Sequence, residues 1–195
     1  MSLPASDTSK KPDMRTTMDL GEVLPRTAEV RDNHLFIGGV DMVKLAHEEG
    51  TALYVFDEAD LRFRMESYRE SFHSRYANSD IAYASKAFLN KEVVRIANEE
   101  GMCLDVSGGG ELACAQMAGF PMERVVVHGN NKTPAELTEA ISAGVGRIVV
   151  DSRIELARVS EIAGKLGVEQ EILMRITPGV EADTHEYIRT GCEDS

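Results

Sequence analysis

From Ile81 onward the chain repeats one pattern: a short apolar run, a turn of glycine and polar residues, then a helical segment. The runs span Ile81 to Ser85, Met102 to Asp105, Val125 to Val127, Arg147 to Val150 and Glu171 to Ile176, and they begin about every 20 to 25 residues. Helical periodicity fills the gaps, from Lys91 to Glu100, from the Ser107-Gly-Gly-Gly110 turn to near Gly119, from Pro134 to Ala143 and from Arg153 to Leu166. A parallel strand pair cannot be closed by a tight hairpin and needs a crossover, so one helix per strand predicts a parallel sheet covered by helices. Two of the helices announce their starts. Thr133-Pro134-Ala135-Glu136 and Ser152-Arg153-Ile154-Glu155 both read as capping boxes, the first with proline at the position where its missing N–H costs nothing.

The preceding residues are less regular. Val23-Leu24 and Leu35-Phe36-Ile37 suggest short extended pieces, and Asp41 reads as the N-cap of a helix that ends at Glu49 before Gly50. Leu53-Tyr-Val-Phe56 is predicted to be a strand. Glu58 to His73 is predicted to be an amphipathic helix with Leu61, Met65, Tyr68 and Phe72 on one face.

Two architectures accommodate repeated βα units: an open doubly wound sheet and a (β/α)₈ barrel. Near-equal units favour the barrel. So does the placement of Lys86, Asp105, Ser107, His128, Asp151 and Thr177, all at the C-terminal ends of strands. In a barrel those ends converge on one mouth, whereas an open sheet brings together only the strands at its switch point. About five such strands fall short of the eight a barrel needs, and an incomplete barrel leaves strand edges unpaired. The 195 residues are therefore expected to be the first part of a longer protein.

Charge and composition narrow the partners. A net charge of -12 without a basic cluster argues against nucleic acid and anionic membrane surfaces. No apolar run approaches the roughly 18 residues of a membrane span. Residues 1 to 18 lack the apolar core of a signal peptide and read as a disordered tail. Cys103, Cys114 and Cys192 are too scattered for a disulfide framework or a zinc site. They read as reduced thiols of a cytoplasmic protein, with Cys103 and Cys114 in the core.

The candidate chemistry centres on Lys86. An amine at the end of an apolar strand is either a snorkelling surface lysine or one held in a partly desolvated pocket and open to Schiff-base chemistry. Asp105 reads as a helix cap or as a site carboxylate. Ser107 to Gly110 could cradle a phosphate, although the run lacks the Gly-Lys-Ser/Thr ending of a P-loop. His128, before Gly129, is more often a turn residue than a ligand. Arg175 lies inside Ile172 to Ile176, where a charge must be paired or face a polar interior. Asp183-Thr-His185-Glu186 has no helical metal spacing, and no metal is assigned.

Five blocks occur in a telling order: Tyr83-Ala-Ser-Lys-Ala87, Leu104-Asp-Val-Ser-Gly-Gly-Gly-Glu-Leu112, Gly129-Asn-Asn-Lys132, Val150-Asp-Ser-Arg-Ile-Glu-Leu156 and Met174-Arg-Ile-Thr-Pro-Gly-Val180. Together, over about residues 50 to 195, they resemble the fold-type III pyridoxal-phosphate-dependent decarboxylases. Thr184-His-Glu-Tyr-Ile-Arg-Thr-Gly191, with Glu193-Asp-Ser195 after it, resembles the branch that acts on meso-2,6-diaminopimelate rather than the ornithine and arginine branches. The resemblance implies part of a (β/α)₈ barrel of the alanine racemase/decarboxylase type over residues 51 to 195. It also implies that residues 19 to 50 belong with a β-domain largely missing from this chain. It implies pyridoxal 5'-phosphate held as a Schiff base on Lys86, and release of CO₂ from the diamino acid to leave L-lysine, the last step of lysine biosynthesis. By position, Asp105 would lie beneath the cofactor, Arg175 would contact the cofactor region and Ala84 would pack on its ring. His128 and Ser107 would line the mouth. The family works as a homodimer with shared active sites, and its ring-stacking histidine, phosphate loop and dimer-crossing cysteine lie beyond Ser195. Residues 1 to 195 alone are thus expected to be inactive. The alternatives are a sister decarboxylase for another amino acid and a non-catalytic, cofactor-binding relative.

Overall fold

A computed structural model describes residues 23–177. The tail expected over residues 1 to 18, the Thr184–Gly191 block, His185 and Cys192 lie outside the described residues. The described residues fall into two compact units, which divide after Phe63, within a helix.

In the first unit, β1 (Glu29–Arg31), β2 (His34–Ile37) and β3 (Val40–Asp41) form an antiparallel meander. Both hairpins close with two residues. Asp32 and Asn33 take positive φ in one, Gly38 and Gly39 in the other. Those residue types tolerate the left-handed backbone that a two-residue turn between twisted strands demands. Helix α1 (Met42–Glu49) then starts on Asp41, whose carboxylate accepts from the backbone N–H of Val43 at 2.9 Å and Lys44 at 3.2 Å. The same carboxylate meets His34 Nδ1 at 2.8 Å, and that hydrogen bond holds it below the usual aspartate range.

Two expectations for this unit fail. Val23 and Leu24 form a turn and a bend rather than extended backbone. Leu53 to Phe56 form no strand. The four residues are exposed, Tyr54 almost wholly, and no described strand pairs with them. An apolar run becomes a strand only when a ladder satisfies its backbone groups.

Helix α2 (Glu58–His73) has the predicted bounds. Its predicted apolar face is only half realised: Met65 is buried and Leu61 partly so, but Tyr68 and Phe72 are mostly exposed, because nothing among the described residues covers the C-terminal half of that face.

The second unit contains β4 (Ala82–Ala84), β5 (Cys103–Val106), β6 (Val125–Val127), β7 (Arg147–Val150) and β8 (Glu171–Met174), separated by α3 (Lys91–Glu99), α4 (Gly109–Met117), α5 (Pro134–Ala143) and α6 (Arg153–Leu166). All pairings are parallel, and the strands lie in chain order from β4 to β8. There is no reversal of order, hence no switch point of the doubly wound kind. The sheet also curls. Arg147, on β7, sets its guanidinium 3.5 Å from Asp80, just before β4, and 3.3 Å from Glu171 on β8. A flat sheet would hold β4 and β7 about 14 Å apart.

Local signals explain the helices. Asn90 caps α3 by accepting from Val93 N at 2.9 Å. Thr133 and Glu136 form the predicted capping box on α5. Gly144 and Gly167 end α5 and α6 in the left-handed conformation. Each helix then buries one stripe, such as Val93, Val94, Ile96 and Ala97 on α3 or Leu137, Ala140 and Ile141 on α5.

Residues facing the helices from the sheet, among them Leu104, Val106, Val125 and Ile148, are completely buried. Each contributes about 1.5–3 kcal/mol. The core therefore lies between sheet and helices. The edge strands are less enclosed. In β4, Ala82 is exposed and Tyr83 and Ala84 are half-buried. β8 ends at Met174, two residues before the predicted Ile176.

Candidate active site at the mouth of the sheet

Alternation along parallel strands sorts their side chains between the helices and the concave inner face. Ala82 and Ala84, Cys103 and Asp105, Val126 and His128, Arg147 and Val149 fall on the inner face. Most of them line a cavity of about 290 Å³. The middle of this trough is apolar, and burial pushes the Cys103 thiol up from its ordinary value. Cys103 is buried and Cys114 partly so, and both are free thiols. Charge collects at the two ends: Asp80, Arg147 and Glu171 where the strands begin, and Lys86, Asp105, His128, Asp151 and Arg175 where they finish.

Lys86 sits in a single 3₁₀ turn, Ser85–Ala87, directly after β4. The ladder pairs Ala84 with Asp105, which brings this turn to the end of β5. Tyr83 Oη donates to the Phe88 carbonyl at 2.7 Å, pinning the far side of the turn back onto the strand, and burial raises the Tyr83 pKa. The Lys86 side chain is exposed and has no hydrogen bond or ion pair among the described residues. Beneath it Ser85 is buried, and its Oγ has no hydrogen-bond partner among the described residues.

Asp105 is not a helix cap, because α4 starts on Gly108. It lies within β5, and its Oδ1 is buried, without a hydrogen bond among the described residues and 3.7 Å from His128 Nδ1. His128 is placed by one further ladder bond, from its N–H to the Val106 carbonyl at 2.7 Å. Arg175 is held in the same way, its N–H donating to Val150 O at 3.0 Å. Its guanidinium lies 3.7 Å from Asp151, whose Oδ1 is another buried oxygen with no hydrogen bond among the described residues. The paired arginine expected from sequence is thus found, in the open mouth rather than inside a strand.

Ser107 is exposed at the mouth, and its backbone N–H donates to Glu111 Oε2 at 2.6 Å. Glu136 and Glu155 take equivalent positions at the starts of α5 and α6. Each of these helix N-termini already holds a carboxylate from its own chain, where an anion would otherwise sit. The Ser152 box is correspondingly half formed. Ser152 caps Glu155 N at 3.2 Å, but Glu155 turns to Asp151 N instead of closing the box. Its other oxygen meets Lys132 Nζ at 3.0 Å, both side chains being buried. Sequence reasoning missed the roles of Tyr83 and Lys132; neither belongs to a periodic pattern, and the partners of Lys132 lie up to 23 residues away. Among the described residues no cluster of three or more His, Cys, Asp or Glu could hold a metal ion.

The sheet order, the curl and an unpaired lysine beside unsatisfied carboxylate oxygens define a class: an α/β barrel segment with an amine-bearing mouth. Residues 58–195 match the family model described as pyridoxal-dependent decarboxylase, pyridoxal binding domain, and the chain belongs to that family. Among similar proteins, diaminopimelate decarboxylase of Mycobacterium tuberculosis is 52% identical over 158 residues, covering 81% of this chain and 35% of that one. The Bacillus subtilis diaminopimelate decarboxylase is 49% identical over 162 residues, covering 83% and 37%. The crystal structure of diaminopimelate decarboxylase from M. jannaschii in co-complex with L-lysine matches with a TM-score of 0.74 at 34% identity, covering 85% of this chain and 39% of that one. The chain spans a little over a third of the length of the curated relatives it matches. The described sheet is accordingly part of a fold-type III decarboxylase barrel.

Pyridoxal phosphate is the cofactor this family implies. The residues present fit it. Lys86 offers an unpaired amine, Ser85 and Asp105 offer buried oxygens that lack partners among the described residues, and the small Ala84 side chain leaves the inner face open beside them.

Proposed function

We propose that this chain supplies the lysine-bearing part of an enzyme that decarboxylates meso-2,6-diaminopimelate to L-lysine and CO₂ at the end of lysine biosynthesis. The observation that carries the reading is Lys86, unpaired at the sheet's mouth next to the unsatisfied Asp105. Identity of about one half to relatives named diaminopimelate decarboxylase supports the choice of substrate.

When bound, pyridoxal phosphate supplies a carbonyl carbon for an amine and an electron-accepting ring beside the bond that breaks. Lys86 would hold it covalently through Nζ. Asp105 offers a carboxylate to a positive or proton-bearing group next to that amine. Arg175, steadied over Asp151, presents a guanidinium to an anionic group, and His128 and Ser107 complete the rim. Ala84 keeps the adjoining wall flat; a larger side chain there would occupy cofactor space. The starts of α4 to α6 carry their own glutamates, so the cofactor phosphate would be held elsewhere. The working assembly is a cytoplasmic homodimer with shared sites, and residues 19 to 50 belong with a β-domain. The antiparallel strands of the first unit support the latter assignment.

Borohydride reduction of the full protein with pyridoxal phosphate, followed by peptide mass spectrometry, should mark Lys86. Lys86→Ala should lower turnover at least about a thousandfold. A label elsewhere, or unimpaired turnover, refutes the assignment of Lys86. Turnover of ornithine or arginine but not diaminopimelate would move the protein to a sister activity.

A further inference from the structure

We propose that Lys132 and Glu155 form a buried positioning pair that holds the rim of the mouth, and with it His128 and Asp151, at the level the cofactor requires. Both side chains are almost completely buried, at 5% and 7% exposure, with Nζ 3.0 Å from Oε1. An ammonium has three N–H donors and no acceptor. All three are directed here: one to Glu155, one to the Val149 carbonyl at 2.7 Å and one to the Gly129 carbonyl. The second glutamate oxygen accepts from Asp151 N at 2.8 Å. One buried contact therefore ties together the turn after β6, strand β7, the residue that follows β7 and the first turn of α6.

Two rim residues are tied to that contact. His128 immediately precedes Gly129. Asp151 is bonded to Glu155 directly, and its own carboxylate faces Arg175. Moving the pair would move both, on opposite sides of the β6–β7 gap.

Stability alone is a poor reason for such a pair. The desolvation of two buried charges consumes most of their attraction, and apolar residues of similar size often do as well. What apolar residues cannot reproduce is direction: a single nitrogen fixing two backbone carbonyls and a carboxylate at once. Glu155 also forgoes its half of the Ser152 capping box to take part. No hydrogen bond or ion pair among the described residues joins Lys132 or Glu155 to the proposed cofactor-binding side chains. They are positioning residues that act through the backbone.

This role rests on the decarboxylase reading, and the test separates the two. In the full protein, Lys132→Met combined with Glu155→Gln removes both charges and keeps an acceptor for Asp151 N. We expect its thermal midpoint to stay within about 3 °C of wild type. Its pyridoxal phosphate dissociation constant, read from cofactor absorbance, should rise roughly tenfold through misplacement of the rim. Lys132→Arg keeps the charge but replaces the three-way ammonium with a planar fork, and should not restore affinity. If the double variant melts early, its cofactor affinity is read well below its midpoint, where the folded protein should still show the roughly tenfold loss. Well-folded variants that bind cofactor as tightly as wild type would overturn the pair's role and leave the decarboxylase reading standing. Wild-type protein that takes up no pyridoxal phosphate would overturn both.

Discussion

Gly146 has no side chain, and a neighbouring loop uses the space. Its N–H donates to Met122 O at 3.0 Å, and an added Cβ would collide with the Glu123 carbonyl oxygen and lie 2.9 Å from that carbonyl carbon. Gly146→Ala must push backbone aside and should cost about 1–3 kcal/mol, measurable by urea unfolding. In the sequence this glycine looks like any other before a strand; only the approach of a loop some 23 residues earlier makes it necessary. Lys86 differs in kind. Its place at the end of an apolar run could be read in advance. Its lack of an ion pair among the described residues could not, because that depends on where Asp105 and Asp151 direct their oxygens.

Elements set by neighbours within four residues match their predicted bounds. α5 and α6 begin and end where their caps place them. The α5 box also has a pH signature. Hydrogen bonds from the Thr133 backbone and hydroxyl hold the Glu136 pKa below its ordinary 4.5. A carboxylate with a lowered folded pKa contributes its stability above the unfolded value and loses it as pH falls through the folded one. Glu136→Gln should therefore lower the thermal midpoint at neutral pH, with an effect that shrinks as the pH falls below the ordinary 4.5, and melting curves over that range check it. The second box shows where local reading stops. Ser152 caps as its position requires, but Glu155 is taken by Asp151 N and Lys132. Leu53 to Phe56 show the same limit for strands: the run is apolar, yet no described strand accepts its backbone.

At the scale of the molecule the stabilising layer lies outside the sheet, not in its lumen. Ile148 is wholly buried on the helix side, whereas Leu173 on the inner face is 46% exposed. Ile148→Ala should cost about 2–5 kcal/mol, read as a fall in the urea midpoint, because its neighbours cannot collapse into the space. The lumen can then carry charge at its ends, with Arg147 bridging β4 to β8 at one end and the rim residues at the other.

By itself the sequence determined the βα period, the helix starts, the residue types at the strand ends and the family resemblance. All of these are written in short-range spacing or side-chain chemistry. Only the tertiary structure decided that the strands run in barrel order and curl, that Leu53 to Phe56 join neither described sheet, and that Lys132 sits against Glu155 behind the rim. Each of these turns on atoms far apart in the chain meeting at hydrogen-bonding distance, and no local pattern encodes such a meeting.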